Sequence, residues 1–488
     1  MQLKDKPILA AAACAAAFVG VVYLARKELR RWGLLNSHMA QFRNSFLLQQ
    51  DRLLRIRDDF IEEAEAGLRG ERSSCLMMPS MMDVLPSGEE TGDFFAVDIG
   101  GTNYRVILVS LSEKKGEVAK FEMEDFAIPE EYFSCHANRL FDLLADSLVT
   151  FAKRHGFTGS KTAPVGFCFS FPVKQTAVDA GTMIKLTKKF DNEGLVGCDP
   201  VQMLQQALQR FKSPFKVVAL LNDSVGTLAG GSYEDSNCKI GVILGTGTNA
   251  CYAEQTANIR TLPKGSRFRA QMVVNTEWGN FWAPSLPITQ VDRDLDGTTP
   301  NAAEYPFEKM VSGMYMGEVA RRIILRLAED AQLFGPSVPD ELRVPWALTT
   351  PALAKIAQDG SWLLSGTAQV LADSLHLPAA RCTFSACSAV KEVCEMVSRR
   401  SAAIVAACLA GLLRHIGRDG SKGSMQPTTI TIDGGLFEHY TAYRSFLREY
   451  LDQLLGPEVS PMVELKRIRD ASSMGSAYLA AAVTSSAQ

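Results

Sequence analysis

Short apolar runs alternate along the chain with longer stretches in which apolar residues recur every three or four positions, the pattern of buried strands interleaved with packed helices. Leu34 to Arg69, free of proline and rich in Leu, Phe, Arg, Gln and Glu, predicts one or two amphipathic helices. Met77 to Gly92, broken by Pro79, Pro86 and Gly88, reads as an irregular approach to the first strand. Phe94–Val97 and Tyr104–Ser110 read as strands, with Glu117–Phe126 as a third. Leu140, Phe141, Leu144, Leu148 and Phe151 have helical spacing and predict a packed helix over Asn138–His155. Val165 to Phe171 is a strand stopped by Pro172, and Asp199-Pro200 supplies an N-cap followed by proline at the first helical position. That helix should bury Val201, Leu204, Leu208 and Phe211 on one face. Lys216–Leu221 is a buried strand, and a short small-residue helix runs from Ser224 to Gly231. Further on come a strand from Ile240, long helices over Phe307–Glu329 and about Ala389–Ile416, a strand at Thr429–Ile432 and a closing helix over Met474–Val483.

Two of these strands end in the same way. After Val97 come Asp98, Gly100, Gly101, Thr102 and Asn103, then a strand; after Leu244 come Gly245, Thr246, Gly247, Thr248 and Asn249, then a strand through Ala250, Cys251 and Tyr252. Such a turn directs several backbone N–H groups at one spot and suits an anion. Glycine serves there by taking a positive φ or by letting a ligand approach closely. Asp98 repels phosphate, so its place is beside a hydrated cation. A third pair, Gly434-Gly435, follows Asp433. The repeat at 94 and 240 predicts two similar α/β halves with a nucleotide between them. The spacing matches neither the dinucleotide fingerprint nor the P-loop.

Composition narrows the class. At 488 residues with 47% hydrophobic and 22% charged residues, the chain has the balance of a globular protein of several domain-sized units. A net charge of −3 gives no reason to expect nucleic acid. The eleven cysteines, odd in number and never spaced Cys-x-x-Cys, read as reduced, buried thiols. The six isolated histidines form no metal set, and no metal-ligating residue is assigned. Ile8 to Ala25 carries no charge and as a helix would span about 27 Å, with Arg26, Lys27, Arg30 and Arg31 following. The reading is a single membrane anchor with the bulk of the protein on the cytosolic side, and no other stretch long and apolar enough to span. A cleaved signal peptide is the rival, without a clear cleavage site.

Asn222-Asp223, delivered at the end of an apolar strand, is the candidate catalytic pair. A carboxylate there can take a proton from a hydroxyl attacking a phosphoryl group, or can simply cap the helix. Four segments then fall together: Asp98-Ile99-Gly100-Gly101-Thr102-Asn103, Phe169-Ser170-Phe171-Pro172, Leu220-Leu221-Asn222-Asp223 through Gly231, and Glu277-Trp278-Gly279-Asn280. In these motifs and their order, from about residue 40 to the C-terminus, the chain resembles the hexokinases. With its apolar N-terminus it is similar to the membrane-anchored plant members.

The resemblance implies an α/β, two-domain actin-like sugar kinase fold: an anchor and basic flank over 1–33, a small domain over 34–235 and a large one over 236–488. It implies transfer of the γ-phosphoryl of ATP to the 6-hydroxyl of glucose or a similar hexose, with Mg²⁺ carried by the nucleotide phosphates. By resemblance Ser170, Thr187, Lys188, Asn222, Asn249, Glu277 and Glu308 hold the hexose, Asp223 is the base, and Lys188 stabilises charge near the phosphoryl group. Asp98, Gly101, Thr102, Asn103 and Arg105 match the first phosphate turn, Thr246 and Thr248 the second, and Asp433, Gly434 and Gly435 the adenosine side. The mitochondrial outer membrane is the membrane implied first, a plastid envelope second.

Three segments depart from the family. Leu186-Thr187-Lys188-Lys189-Phe190 stands for Trp-Thr-Lys-Gly-Phe, losing the Trp packing and adding a charge. Asn301 to Tyr305 replaces Asn-Pro-Gly-Gln-Gln, and Asp470 to Gly475 replaces a glycine-richer turn, where Ala or Ser at a positive φ costs about 1 kcal/mol. They motivate a rival reading as a sugar-binding sensor without much kinase activity. An actin-like ATPase is a third, which leaves the Phe169 and Glu277 motifs unexplained.

Overall fold

The computed structural model describes Arg26 and residues 28–486 apart from 160, 187, 188, 422 and 424. Thr187, Lys188 and the apolar segment Ile8–Ala25 therefore lie outside the described residues. The amphipathic N-terminal stretch forms two helices, α1 over 28–46 and α2 (Gln50–Arg69). There follow β1 (Met78–Pro79), β2 (Gly92–Ile99), β3 (Asn103–Leu111), β4 (Val118–Ala127), α3 (Ala137–Arg154), β5 (Ala163–Phe169) and a hairpin of β6 (Val173–Ala177) and β7 (Ala180–Met183). Next come α4 (Pro200–Arg210), β8 (Phe215–Leu221), α5 (Asp223–Glu234), β9 (Cys238–Leu244), β10 (Thr248–Gln255) and β11 (Gln271–Asn275). Helices α6 (Gln290–Asp296), α7 (Pro306–Val311), α8 (Gly313–Ala331), α9 (Thr350–Ala357), α10 (Ser365–Leu375) and α11 (Phe384–His415) lead to β12 (Thr428–Asp433). The chain closes with α12 (Gly435–His439), α13 (Thr441–Val459), β13 (Val463–Arg467) and α14 (Ala471–Ser486).

These residues pack as two compact units. One, made of residues up to Gln49, Pro287–Ala302 and Met314–Ser401, is helical. In it the buried guanidinium of Arg400 donates to both oxygens of Asp292 at 2.8 Å and lies 4.1 Å over the Phe46 ring. A charge removed from water needs such pairing to be tolerated.

The other unit, Gln50–Leu286, Ala303–Gly313 and Ala402–Gln488, holds both large sheets. Their orders are β4-β3-β2-β5-β8 and β1-β11-β10-β9-β12-β13. In the first, the antiparallel meander β4-β3-β2 is extended by parallel β5 and β8. In the second, antiparallel β11-β10-β9 is extended by parallel β12 and β13. The repeat read from the two glycine turns is thus a repeat of topology, each turn joining the first two strands of its copy. Helix α14 packs on β2 and β5, α5 packs on β9, and the two helices pack on each other. That contact is backbone to backbone: a Cβ on Gly226 would lie 2.4 Å from the Ser472 carbonyl oxygen, and one on Gly475 only 1.8 Å from that of Gly226. Free thiols line this layer. Cys168 and Cys251 are buried, which pushes both thiols well above their ordinary value, and Cys251 donates to the Ser224 carbonyl at 3.0 Å.

Three expectations need correction. The stretch Phe307–Glu329 is two helices, because Ser312 between α7 and α8 is extended (ψ 155°) and Gly313 N–H donates to Gly245 O at 2.9 Å. A contact with the second glycine turn has displaced a helical hydrogen bond. Phe211 is the C-cap residue of α4 and is 40% exposed; Ala207 completes the buried face in its place. Finally, Phe384–His415 is also long and apolar enough to span a membrane, but its apolar window is almost wholly buried in the fold. It is a core helix.

Candidate active site

The apolar run of β8 ends at Leu221, and Asn222 in extended conformation caps α5, its Oδ1 accepting from Ser224 N–H at 3.0 Å. Capping therefore falls to Asn222. Asp223 is the first residue of the helix, half-buried, with Oδ1 accepting from Ser224 N–H at 2.8 Å. A helix N-terminus favours a negative charge there.

Around this pair lies a network of amides. Asn249 Nδ2 donates to Asn222 Oδ1 at 3.2 Å, to Asn275 Oδ1 at 2.8 Å and to Glu277 Oε1 at 3.1 Å. Asn275 Nδ2 also donates to Glu277 Oε1, at 2.7 Å. Glu277 sits in the left-handed region (φ 51°), which turns its side chain back towards these amides. Burial pushes its carboxyl up to about 7, with Asp223 and Glu308 adding to the rise and the Asn275 and Asn249 donors opposing it. Asn275 was not singled out from the sequence. It ends the apolar run Met272-Val273-Val274, two positions before Glu277, and that spacing was the available signal. Glu308 joins the second glycine turn, accepting from Thr248 N–H at 3.1 Å, while the Thr248 hydroxyl accepts from Trp278 Nε1 at 3.0 Å. Thr246 is exposed in that turn, and Ser170, just past β5, donates its N–H to Ile99 O at 3.3 Å.

On the other side the three turns are tied together. Gly100 N–H donates to Asn103 O at 2.9 Å, and Ile128 N–H to Thr102 O at 2.9 Å, leaving Gly101 half-buried between them. Neither Gly100 and Gly101 nor Gly245 and Gly247 adopts a positive φ, so of the two reasons for glycine in these turns the first does not apply to them. Gly434 does (φ 117°), and a Cβ there would lie 2.5 Å from Leu244 O, so the second and third turns touch. A Cβ on Gly245 would likewise meet Gly435 N at 3.7 Å. Burial pushes the Asp433 carboxyl up, against N–H donors from Ser472 (3.2 Å) and Gly434 (2.7 Å).

In the first turn the cross-strand register sets the charges. Arg105 on β3 stands opposite Asp98 on β2 and Asp125 on β4. Its Nη1 lies 3.9 Å from Asp98, its Nε donates to Asp125 at 3.0 Å, and Asp470 is 4.0 Å away. Asn103 Nδ2 donates to Asp125 as well, at 2.7 Å. The start of α14 closes this cluster, because the Ser473 hydroxyl donates to Asp98. Asp125 was not singled out from the sequence, and Asp470 and Ser473 were noted only as part of a rewritten turn, without a role. The strain expected in this segment falls on Asp470 (φ 51°), with Ala471 and Ser473 inside the helix. Asp tolerates the left-handed region better than Ala or Ser.

The other rewritten loops have found partners. Leu186 packs against the core, Lys189 lies 5.8 Å over the Phe133 ring, and Phe190 stacks edge-on against Phe133 and Phe171. Lys185 pairs with Glu304 at 2.6 Å, and both Ala303 and Tyr305 take positive φ. Among the described residues no group of three or more His, Cys, Asp or Glu could hold a metal ion by itself.

Family models described as hexokinase match residues 38–233 and 239–482. The chain is 41% identical to Hexokinase-2 of Oryza sativa subsp. japonica over 476 residues, covering 95% of each chain. It is 40% identical to Hexokinase-1 of Spinacia oleracea, covering 97% of this chain and 96% of that one. Among solved structures, the hexokinase from Schistosoma mansoni complexed with glucose aligns with a TM-score of 0.80 and 32% identity over 92% of this chain and 99% of that chain.

Proposed function

The chain belongs to the hexokinase family, and from that premise we propose how its residues divide the work. It has the two-domain actin-like sugar kinase fold and transfers the γ-phosphoryl of ATP to the 6-hydroxyl of glucose and similar hexoses. In our reading Asn222, Asn249, Glu277 and Glu308, with Ser170, Thr187 and Lys188, hold the hexose hydroxyls. Amides and carboxyls suit that task because each hydroxyl both donates and accepts. Asp223 takes the proton of the 6-hydroxyl as its oxygen attacks, a role supported by its place at the helix start beside the amide network. Lys188 offsets charge on the transferring group. Gly101, Thr102, Asn103 and Arg105 face the phosphates, with Thr246 and Thr248 in the second turn and Asp433, Gly434 and Gly435 towards the adenosine. Mg²⁺, when bound with the nucleotide, neutralises phosphate charge, and Asp98 would hold it through water.

The observation that carries this reading is the convergence of Asn222, Asn249, Asn275 and Glu277 beside Asp223. The direct test is glucose phosphorylation by the full chain and by Asp223→Ala. We expect turnover in the first and a loss of about 10²–10⁴-fold in the second, the usual worth of a positioned base. Equal turnover in both would remove Asp223 from the role. Water must be kept from the γ-phosphoryl, so ATP hydrolysis without sugar should be slow. Fast hydrolysis would count against the reading.

We also propose domains over 34–235 and 236–488, a boundary motivated by the repeat of the sheets. Ile8–Ala25 is proposed as the anchor, in the mitochondrial outer membrane first and a plastid envelope second. Fractionation of cells carrying the chain with and without residues 1–33 tests this.

A further inference from the structure

The start of α14 meets the first phosphate turn through a hydroxyl, and we propose that Ser473 is a positioning residue that restrains the affinity of this site for a nucleotide carrying a divalent cation. The inference rests on the reading of 98–105 as the phosphate turn. Ser473 is fully buried; its Oγ donates to Oδ2 of Asp98 and accepts from Arg105 Nη1 at 3.4 Å. One hydroxyl, 375 positions downstream, thus engages both charged groups of the turn.

A carboxylate oxygen that accepts a strong hydrogen bond offers less to the water of a hydrated cation. Asp98 is itself buried, so it has little freedom to present its other face. Arg105 stays matched by Asp98, Asp125 and Asp470 with or without the Ser473 hydroxyl, so the effect runs through Asp98. The cation loses an acceptor. Ser473 lies in α14 beside Ser472, whose N–H holds Asp433, so the same turn of helix fixes the phosphate side at two points.

Calorimetric titration of the full chain with MgADP, and with ADP in excess EDTA, reads this without turnover. Ser473→Ala keeps the helix and removes the hydroxyl. It should bind MgADP about tenfold more tightly, the scale of one hydrogen bond to a charged group, with metal-free ADP unchanged. Ser473→Gly, which removes the same hydroxyl, should give the same cation-dependent gain. In an Asp98→Asn background, adding Ser473→Ala should change nothing. Unchanged or weaker MgADP binding in both Ser473 variants would overturn the inference, as would a gain that persists without magnesium or without Asp98. Wild-type protein that binds no MgADP at all would overturn the reading of the turn and this inference with it.

Discussion

Asn249 and Asn275 donate to one half-buried carboxyl on the sugar side of the site, whereas on the phosphate side three carboxylates surround Arg105. The first arrangement answers its carboxyl with amides and not with a cation. Amide dipoles satisfy Glu277 by hydrogen bonding, and burial then drives its carboxyl towards the protonated form. The second is charged and partly wet: the side chains of Arg105 and Asp125 remain 33% and 40% exposed. A neutral ligand rich in hydroxyls can be met by fixed dipoles. A polyanion needs charge, and charge that waits for a ligand must be balanced or solvated in the meantime.

Asn275→Ala should damage the sugar side most among its supporting residues. It removes the partner of both Asn249 and Glu277, a loss of roughly 1–3 kcal/mol, or about 10–100-fold in kcat/KM for the hexose. KM for ATP should stay put; equal losses for both substrates would erase the distinction between the two sides.

Glu277 gives the next effect, in stability. Its carboxyl is raised from an ordinary 4.5 to about 7, so the fold favours the protonated form. That stabilisation is complete below pH 4.5 and is lost as the pH rises towards and through 7. Melting of the sugar-free protein should therefore shift downward across that window. Glu277→Gln, which cannot ionise, should flatten the slope while weakening glucose binding. A slope unchanged in the variant would place its origin elsewhere.

Glu304→Ala should do least. It breaks an exposed pair with Lys185, worth about 0–1 kcal/mol, and should alter glucose affinity by no more than about twofold. A larger effect would mean that this loop, and not only the amide network, shapes the sugar side.

The sequence disclosed those parts of the molecule whose causes are local. The apolar run of β8, the Asn-Asp pair after it and the doubled glycine turns are each readable within a dozen positions, and the repeated topology followed from them. The break at Ser312 was hidden because the apolar spacing runs on unbroken from Phe307, and only the Gly245 contact decides it. Asn275 lay at the end of a five-residue strand too short to announce itself. Ser473 and Asp470 act on residues hundreds of positions away, where no local pattern reports. Of the two reasons offered for the glycines of the first two turns, positive φ is not used; at Gly247 the Glu308 carboxylate, 2.9 Å from where a Cβ would sit, adds one that no local pattern showed.

The thiols beside α5 and α14 give this interior a clock. Cys168 lies on one sheet and Cys251 on the other, each sealed under the helix layer, while Cys198 is exposed. An alkylating reagent should consume Cys198 at its chemical rate and the other two only as fast as the layer parts. Labelling kinetics, with and without glucose, would then time the breathing of the layer that carries the base.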